Sequence, residues 1–233
     1  MHIGDGHLSI HKRKDGNRYL VAYSGDMINE FDFYKMILVP LLEQLYNKPF
    51  HIRVSTKNTI QVTILSKAIA TFKLNTLNLA NKKKKGKICI PKIIMDSNLQ
   101  FQKSCLGGMI DTDFSLVFRH GKYPKITGAM PVENRRLKNQ ILDILDNLSI
   151  GYNCSVCTTT DERFNKKNYR SYKIDINGRE NLHKWLSEVG FRSPKHIVKL
   201  KLWNKFGFCK PFLSYNQRQE LLQNATLAQL VER

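Results

Sequence analysis

Long apolar runs are absent from this chain of 233 residues. A membrane-spanning helix needs roughly 20 consecutive apolar residues, and no stretch of the sequence reaches that length, so a function within a membrane is not expected. An even disulfide framework is also missing, because the chain has five cysteines. We therefore expect reduced thiols and a cytosol-like compartment. The Cys154-x-x-Cys157 pair has no second cysteine or histidine pair at ligand spacing, which argues against a zinc site.

Acidic residues are scarce as well. The chain carries 19 Asp and Glu residues against 38 Lys and Arg residues, a formal net charge of +19. Such an excess predicts a polyanionic partner, which is DNA, RNA or an anionic membrane surface. The lack of apolar runs speaks against the membrane. The hydrophobic fraction of 42% is enough for a buried core in one large domain or two smaller ones.

Two short acidic motifs stand out against this basic background. Gly4-Asp5-Gly6 and Asp111-Thr112-Asp113 are each followed by alternating apolar and polar residues, at 7–11 and 114–118. The alternation predicts a strand, so a carboxylate precedes a strand twice, at a domain-sized interval. Two carboxylates brought together in a basic protein can hold a divalent metal ion against a phosphate backbone. This pattern favours nuclease chemistry, although either motif alone is equally typical of a turn or N-cap aspartate.

Periodicity along the chain repeats the same order of elements in both halves. A hairpin, a helix, a second hairpin and a second helix follow each acidic motif, which predicts an α+β fold of tandem αββαββα repeats. The predicted domains are 1–98, 99–215 and a C-terminal tail, 216–233. The predicted strands are 8–13, 19–23, 51–55, 59–65, 114–118, 126–130, 152–158 and 172–176. The predicted helices are 31–46 (with a kink or break at Pro40), 68–79, 134–148 and 181–189.

The residues of the two motifs resemble a known family. LGGMIDTD at 106–113 is similar to the signature of the LAGLIDADG homing endonucleases, and IGDGHL at 3–8 is similar to a variant of it. This resemblance implies a monomer with pseudo-twofold symmetry, in which two four-stranded antiparallel sheets form a saddle over double-stranded DNA. It also implies a long recognition site and cleavage of both strands.

The sequence departs from the family pattern at two places. Phe114 stands where a glycine ends the motif, which we expect to restrict the turn into the strand or to misplace Asp113. Only Met1-His2-Ile3 precede Gly4, where the family has about two helical turns. Without that helix, the face of Leu106, Met109 and Ile110 is expected to be partly exposed.

The resemblance also implies roles for individual residues. Asp5 and Asp113 would hold Mg²⁺ or Mn²⁺, helped by the backbone carbonyls of Gly4 and Thr112. One lysine from each half would lie near the metal, Lys87 or Lys85 in the first half and Lys195 or Lys199 in the second. Basic residues on strands and hairpins would contact bases or phosphates, and these are Arg13, Arg18, Arg53, Lys57, Arg119, Lys122, Lys125, Arg163, Lys167, Arg170 and Lys173.

The sequence therefore predicts a site-specific, metal-dependent DNA endonuclease, located in a prokaryotic (including archaeal) cytoplasm or in an organelle. The alternative is an intron RNA maturase or a cleavage-inactive DNA-binding remnant of the same fold, with intron RNA as a possible partner. A structural RNA-binding protein, such as a ribosomal one, would explain the charge but not the paired acidic motifs.

Overall fold

The computed structural model describes residues 1–56, 58–81, 86, 88–161 and 167–224. Lys57, Lys85, Lys87 and Arg163 lie outside these ranges. In the first half, the strands are β1 (Gly6–Arg13), β2 (Gly16–Asp26), β3 (Arg53–Thr56) and β4 (Thr59–Leu65). The helices of this half are α1 (Met27–Phe33), α2 (Val39–Tyr46), α3 (Lys67–Thr71) and α4 (Lys92–Met95), with π-helical turns at Tyr34–Leu38 and Phe72–Thr76.

The second half starts with a longer helix, α5 (Leu99–Asp113). Its strands are β5 (Phe114–Arg119), β6 (Tyr123–Pro131), β7 (Asn153–Asp161) and β8 (Lys167–Asn177). After a 3-10 turn at Val132–Asn134, the remaining helices are α6 (Arg135–Asn147), α7 (Gly178–Glu188), α8 (Pro194–Phe206) and α9 (Tyr215–Asn224). Within the described part of the chain, no helix combines the length and apolar character needed to cross a bilayer.

The two halves build sheets of the same topology. Each sheet has four antiparallel strands, in the orders β1-β2-β4-β3 and β5-β6-β8-β7. Buried residues pair across neighbouring strands, as Leu8 pairs with Val21 and Leu116 with Ile126. The predicted α+β fold with two four-stranded antiparallel sheets is confirmed.

The helical segment 27–46, which comprises α1, a π-helical turn and α2, is continuous but irregular. The π-helical turn Tyr34–Leu38 separates α1 from α2, and Pro40 lies in the first turn of α2. Proline has no N–H to donate and its ring crowds the carbonyl four residues earlier, so a widened turn before it relieves both problems. The predicted irregularity therefore lies in the turn that precedes Pro40.

The expected exposure of α5 is wrong for the face that bears Leu106, Met109 and Ile110. Their exposed fractions are 0%, 2% and 1%, and they share one core cluster with Ile3 and Ile90. The segments before β1 and before α4 thus cover this face without a second helix of equal length. The neighbouring face of α5 borders an apolar groove of about 360 Å³, whose lining includes Leu41, Leu45, Phe72, Lys73, Cys105 and Gly108.

The expected restriction at Phe114 is also wrong. Phe114 has φ −107° and ψ 165°, an extended backbone that any residue adopts, so α5 passes directly into β5. Its side chain is 3% exposed and lies against Gly128 on the neighbouring strand, where an added Cβ would come within 2.5 Å of the ring. The ring of Phe114 therefore occupies the space that a side chain at position 128 would need.

The prediction placed no helix at α4, α8 or α9. Both α8 and α9 pack against α1 of the first half and against each other. The α9 helix starts at Tyr215, so the segment interpreted as a tail begins inside a helix, and residues 225–233 lie outside the described part of the chain.

Candidate active site

The two acidic motifs meet where Gly4 contacts the end of α5. A Cβ built on Gly4 would lie 2.5 Å from Asp113 Oδ2 and would overlap the Thr112 hydroxyl. Asp113 is the last residue of α5, and Asp5 lies in the turn immediately before β1. Only glycine allows the backbone of the first motif to approach the second carboxylate this closely. The structure thus brings together Asp5, Asp113, Gly4 and Thr112, the four predicted metal-site residues.

The pKa of the Asp5 carboxyl group lies well above its ordinary value. Burial raises the pKa of Asp5 from 3.8 to about 7, and the negative charges of Glu30 and Asp113 act in the same direction. The nearby ammonium group of Lys195 opposes this shift. Like charges gathered in a partly buried site disfavour ionisation of each other, so a cation between them would be bound favourably.

Asp111, the first acid of the second motif, has a different role. Its Oδ1 accepts from the Ser193 amide at 3.1 Å, and its Oδ2 accepts from the Arg192 amide at 3.1 Å. These amides lie just before α8, so Asp111 caps that helix from outside and complements its positive end. Burial raises the pKa of Asp111, while the two backbone bonds oppose the shift. Asp111 therefore ties the end of α5 to the start of α8.

Lys195, the predicted second-half lysine, lies in the first turn of α8. Its Nζ is 2.6 Å from Oε1 of Glu30, on α1, and donates to it. The alternative, Lys199, donates instead to the Leu116 carbonyl oxygen at 2.8 Å, and desolvation lowers the pKa of Lys199 to about 8. The positive charge of Lys195 also lowers the pKa of Asp5.

Asp111 and Glu30 belong to this region, but sequence reasoning assigned a role to neither. For Glu30 a local signal exists, since Asp26 and Glu30 are four residues apart at a helix start. Asp26 caps α1 by accepting from the Ile28 and Asn29 amides, and Glu30 Oε2 accepts from the Asp26 amide at 2.8 Å. This reciprocal arrangement resembles a capping box, a structural role that gives no indication of proximity to Asp5.

The predicted first-half lysines, Lys87 and Lys85, lie outside the described residues, so the structure assigns no position to them. Among the residues that the structure describes, no three His, Cys, Asp or Glu side chains gather as a metal site. A divalent ion here would thus rely on two carboxylates, backbone carbonyls and the oxygen atoms of a bound phosphate or water. Mg²⁺ commonly uses one or two carboxylates together with phosphate and water ligands, and the donor set fits it.

Several predicted DNA-contacting residues share the sheet faces that are turned away from the core. On the first sheet, Arg18 pairs with His11 and Arg53 pairs with Gln61. Both partners lie on the face of the sheet that is turned away from the core, so the two arginines lie there too. On the second sheet, Arg119, Lys125 and Lys173 lie on the outer face. Lys122 is exposed in the turn between β5 and β6. Arg13 and Lys167 lie in β1 and β8, and Lys57 and Arg163 fall outside the described residues.

Three of these residues have features that the alternation did not indicate. Lys125 forms an ion pair with Asp175 at 2.7 Å, and Lys173 is 3.8 Å from the same oxygen, so part of the positive charge is neutralised within the sheet. Arg170 pairs with Thr158, three residues from Lys173, and therefore lies on the opposite face of β8.

Comparison with known proteins identifies the fold. No protein-family model matches the sequence, and no curated protein matches it. Among solved structures, variants of the homing endonuclease I-DmoI match 81% of this chain and 84% of theirs, with 18% identity and a TM-score of 0.52. The chain has the LAGLIDADG homing endonuclease fold. The resemblance predicted from residues 3–8 and 106–113 is thus confirmed at the level of the fold.

Other structures with the LAGLIDADG fold match as well. I-DmoI in complex with DNA and Ca matches with 18% identity, the same coverage and a TM-score of 0.51. The LAGLIDADG meganuclease I-AabMI, bound to uncleaved DNA, covers 97% of this chain and 96% of its own, with 12% identity and a TM-score of 0.49.

Proposed function

We propose that the protein is a site-specific, metal-dependent endonuclease that cleaves both strands of a long DNA target. The observation that carries this proposal is the close approach of Gly4 to Asp113, since it brings two carboxylates from the two halves together beside a lysine. The net charge of +19 and the basic outer faces of both sheets favour a nucleic acid partner. The fold is that of I-DmoI, which has been solved with target DNA and with Mn or Mg.

Each residue of the site has a chemical role in this proposal. Asp5 and Asp113 would hold Mg²⁺ or Mn²⁺ together with the carbonyls of Gly4 and Thr112. A divalent ion bound there neutralises phosphate charge and lowers the pKa of a bound water. The ammonium group of Lys195 stabilises negative charge that develops on the phosphate. Arg18, Arg53, Arg119 and Lys122 contact the DNA backbone or bases and fix the register of the duplex.

A cleavage-inactive DNA-binding protein or an intron RNA maturase is the second candidate. The observation that favours it is that, among the described residues, no three His, Cys, Asp or Glu side chains gather as a metal site. Such a protein would bind nucleic acid through the same basic faces. The two candidates differ in cleavage and in the type of nucleic acid bound.

A selection from random DNA tests the proposal. The protein is incubated in EDTA with a randomised double-stranded library, bound duplexes are enriched, and the enriched pool is then treated with Mg²⁺ or Mn²⁺ and its ends sequenced. We expect double-strand breaks at one site, which disappear in Asp113→Asn and persist in Asp143→Asn, a change at an exposed position of α6. Retained binding without breaks in either metal would overturn the proposal, and preferential binding of intron RNA would favour the maturase.

A further inference from the structure

Both carboxylate oxygens of Glu30 accept hydrogen bonds. Oε1 accepts from Lys195 Nζ at 2.6 Å, and Oε2 accepts from the Asp26 amide at 2.8 Å. The side chains of Glu30 and Lys195 are 12% and 16% exposed, so water screens their attraction far less than at an open surface. The carboxylate is therefore held on one side by its own helix and presents the other side to the lysine.

The position of Glu30 leaves little freedom for another conformation. A Cβ added at Gly25 would lie 2.8 Å from Glu30 Oε2 and 2.5 Å from the Tyr34 ring. The carboxylate thus lies in a close-fitting space between β2 and the π-helical turn. Because Glu30 is fixed in this way, it serves as a rigid acceptor for a flexible partner.

Lys195 is restrained at both of its ends. Its backbone belongs to the turn of α8 that Asp111 caps, and its ammonium group is held by Glu30 across the two halves of the chain. A lysine side chain has four flexible carbons and loses much rotamer freedom when its ammonium group is fixed. The two restraints remove that freedom before any substrate binds.

The ion pair is adjacent to the proposed catalytic carboxylates. The Asp5 carbonyl oxygen accepts from the Ser24 amide at 3.2 Å, and the next residue, Gly25, borders Oε2 of Glu30. The charges of Glu30 and Lys195 shift the pKa of Asp5 in opposite directions. A second ion pair between helices, Lys103 with Glu188, joins α5 to α7 and does not include Lys195. The two pairs differ, therefore, in whether they hold the proposed catalytic lysine.

We propose that Glu30 is a positioning residue, which holds the Lys195 ammonium group beside Asp5 and Asp113 so that it meets the scissile phosphate in a fixed orientation. This inference rests on the proposed endonuclease function. Glu30 touches neither the metal nor the DNA, and it acts through Lys195. Its removal is therefore expected to slow the cleavage step and to leave DNA affinity unchanged.

The test is single-turnover cleavage of the duplex selected in the experiment above, with binding in EDTA measured in parallel. Glu30→Gln, which keeps the shape and removes the charge, is expected to lower the cleavage rate by roughly 10–100-fold, as small misplacements of reacting groups do. DNA affinity should stay within about twofold of the unaltered protein, because no proposed DNA contact is lost. Adding Glu30→Gln to Lys195→Met should slow cleavage no further than Lys195→Met alone.

A conservative exchange and a matched control separate positioning from stability. Glu30→Asp shortens the carboxylate and should slow cleavage, and adding Lys195→Arg, which lengthens the cation, should restore part of the rate. Glu188→Gln removes the acceptor of Lys103, an ion pair that does not include Lys195, and should leave the rate unchanged. Thermal melting of every variant reports whether it is folded. If Glu30→Gln fails to fold, Glu30→Asp becomes the deciding variant.

The outcomes distinguish this inference from the proposed function. The positioning role would be overturned if folded Glu30→Gln, or Glu30→Asp in its place, cleaved at the rate of the unaltered protein while Lys195→Met was slow. The proposed endonuclease function would then still stand. An equal loss in Glu188→Gln would also overturn it, since any broken ion pair would then suffice. Failure of the unaltered protein to cut the selected duplex with Mg²⁺ or Mn²⁺ would remove the proposed function and this inference with it.

Discussion

Asp111 Oδ1 accepts a hydrogen bond of 3.1 Å from the Ser193 amide, and this bond joins the end of α5 to the start of α8. The carboxylate is 2% exposed and also accepts from the preceding amide. The two helices are consequently positioned by one buried group, which lies two residues from the candidate metal ligand Asp113. The stability of this junction can be measured directly.

Asp111→Ala should destabilise the fold by about 2 kcal/mol, because it leaves two amides at the start of α8 without their acceptor. Urea unfolding at neutral pH measures the loss. Asp143→Ala, at an exposed position of α6, should change the free energy of unfolding by less than about 0.5 kcal/mol. Equal stabilities of Asp111→Ala and the unaltered protein would show that the junction does not depend on this cap.

Asp5 should make the metal-free protein less stable as pH rises. An unfolded Asp titrates near pH 3.8 and folded Asp5 near 7, so between these values the folded state holds a proton that the unfolded state has released. The free energy of unfolding therefore decreases as pH rises through this window. Asp5→Asn should be the more stable protein at pH 8 in EDTA. Urea unfolding at pH 5 and pH 8 checks this, with Asp15→Asn in the β1–β2 turn as control, and parallel pH profiles for Asp5→Asn and the unaltered protein would contradict it.

Divalent ions should stabilise the folded protein through Asp5 and Asp113. At a free Mg²⁺ concentration about 100-fold above its Kd, the gain is about 2.7 kcal/mol, or about 5–10 °C in melting temperature. Asp113→Asn should lose this gain, whereas Asp143→Asn should keep it. Melting curves with EDTA, Mg²⁺ and Mn²⁺ measure the effect without any DNA. A gain that persists in Asp113→Asn would place the bound ion elsewhere.

His196 should destabilise the fold at acidic pH. It is 1% exposed, and its Nδ1 accepts from the Leu116 amide at 3.4 Å. Burial, reinforced by Lys195 and Lys199, lowers the pKa of His196 well below 6.5. Because only the unfolded state gains the proton below pH 6.5, stability falls by up to about 1.4 kcal/mol per pH unit as pH decreases.

Replacing His196 tests this dependence. His196→Gln should flatten the fall in the free energy of unfolding between pH 6.5 and pH 5, although its stability at pH 8 is expected to be lower. His183→Gln, at an exposed position of α7, should keep the slope of the unaltered protein. An unchanged slope in His196→Gln would mean that another group causes the acid sensitivity.

Local patterns predicted most of the fold. Strict alternation marks β4, where Ile60, Val62 and Ile64 are buried and the residues between them are not. Helical spacing marks α6, whose buried residues include Leu137, Ile141 and Ile144. In both elements, one face lies on the core and the other does not, and this is the condition under which periodicity is visible in a sequence.

The same reasoning failed for α8. Val198, Leu200 and Leu202 are buried, while Lys199 and Lys201 stand between them. This alternation is typical of a strand, yet the segment is a helix with buried residues on more than one side. Packing against β5, α1 and α9 overrides the local pattern. Tertiary contacts of this kind cannot be read from spacing.

The candidate site was predictable to the extent that it lies within short motifs. Asp5 and Asp113 were predicted through the resemblance of their motifs to the family signature, and the structure brings the two motifs together. The partnership of Glu30 with Lys195 joins residues from opposite halves of the chain, and nothing near either residue indicates the other. The ion pair of Lys125 with Asp175 was missed for the same reason.

The packing of α9 on α1 limits how this protein can be recombined with its structural relatives. Tyr215 donates to Asp32 at 2.8 Å, and its amide donates to Asn29, so the last described helix is anchored on the first. A chimera that takes its first half from another protein and its second half from this one would lack these two acceptors. It would keep them only if α1 of this protein were retained together with α8 and α9. The natural unit of exchange is therefore a set of three helices taken from both ends of the chain, and a crossover in the middle of the gene would divide it.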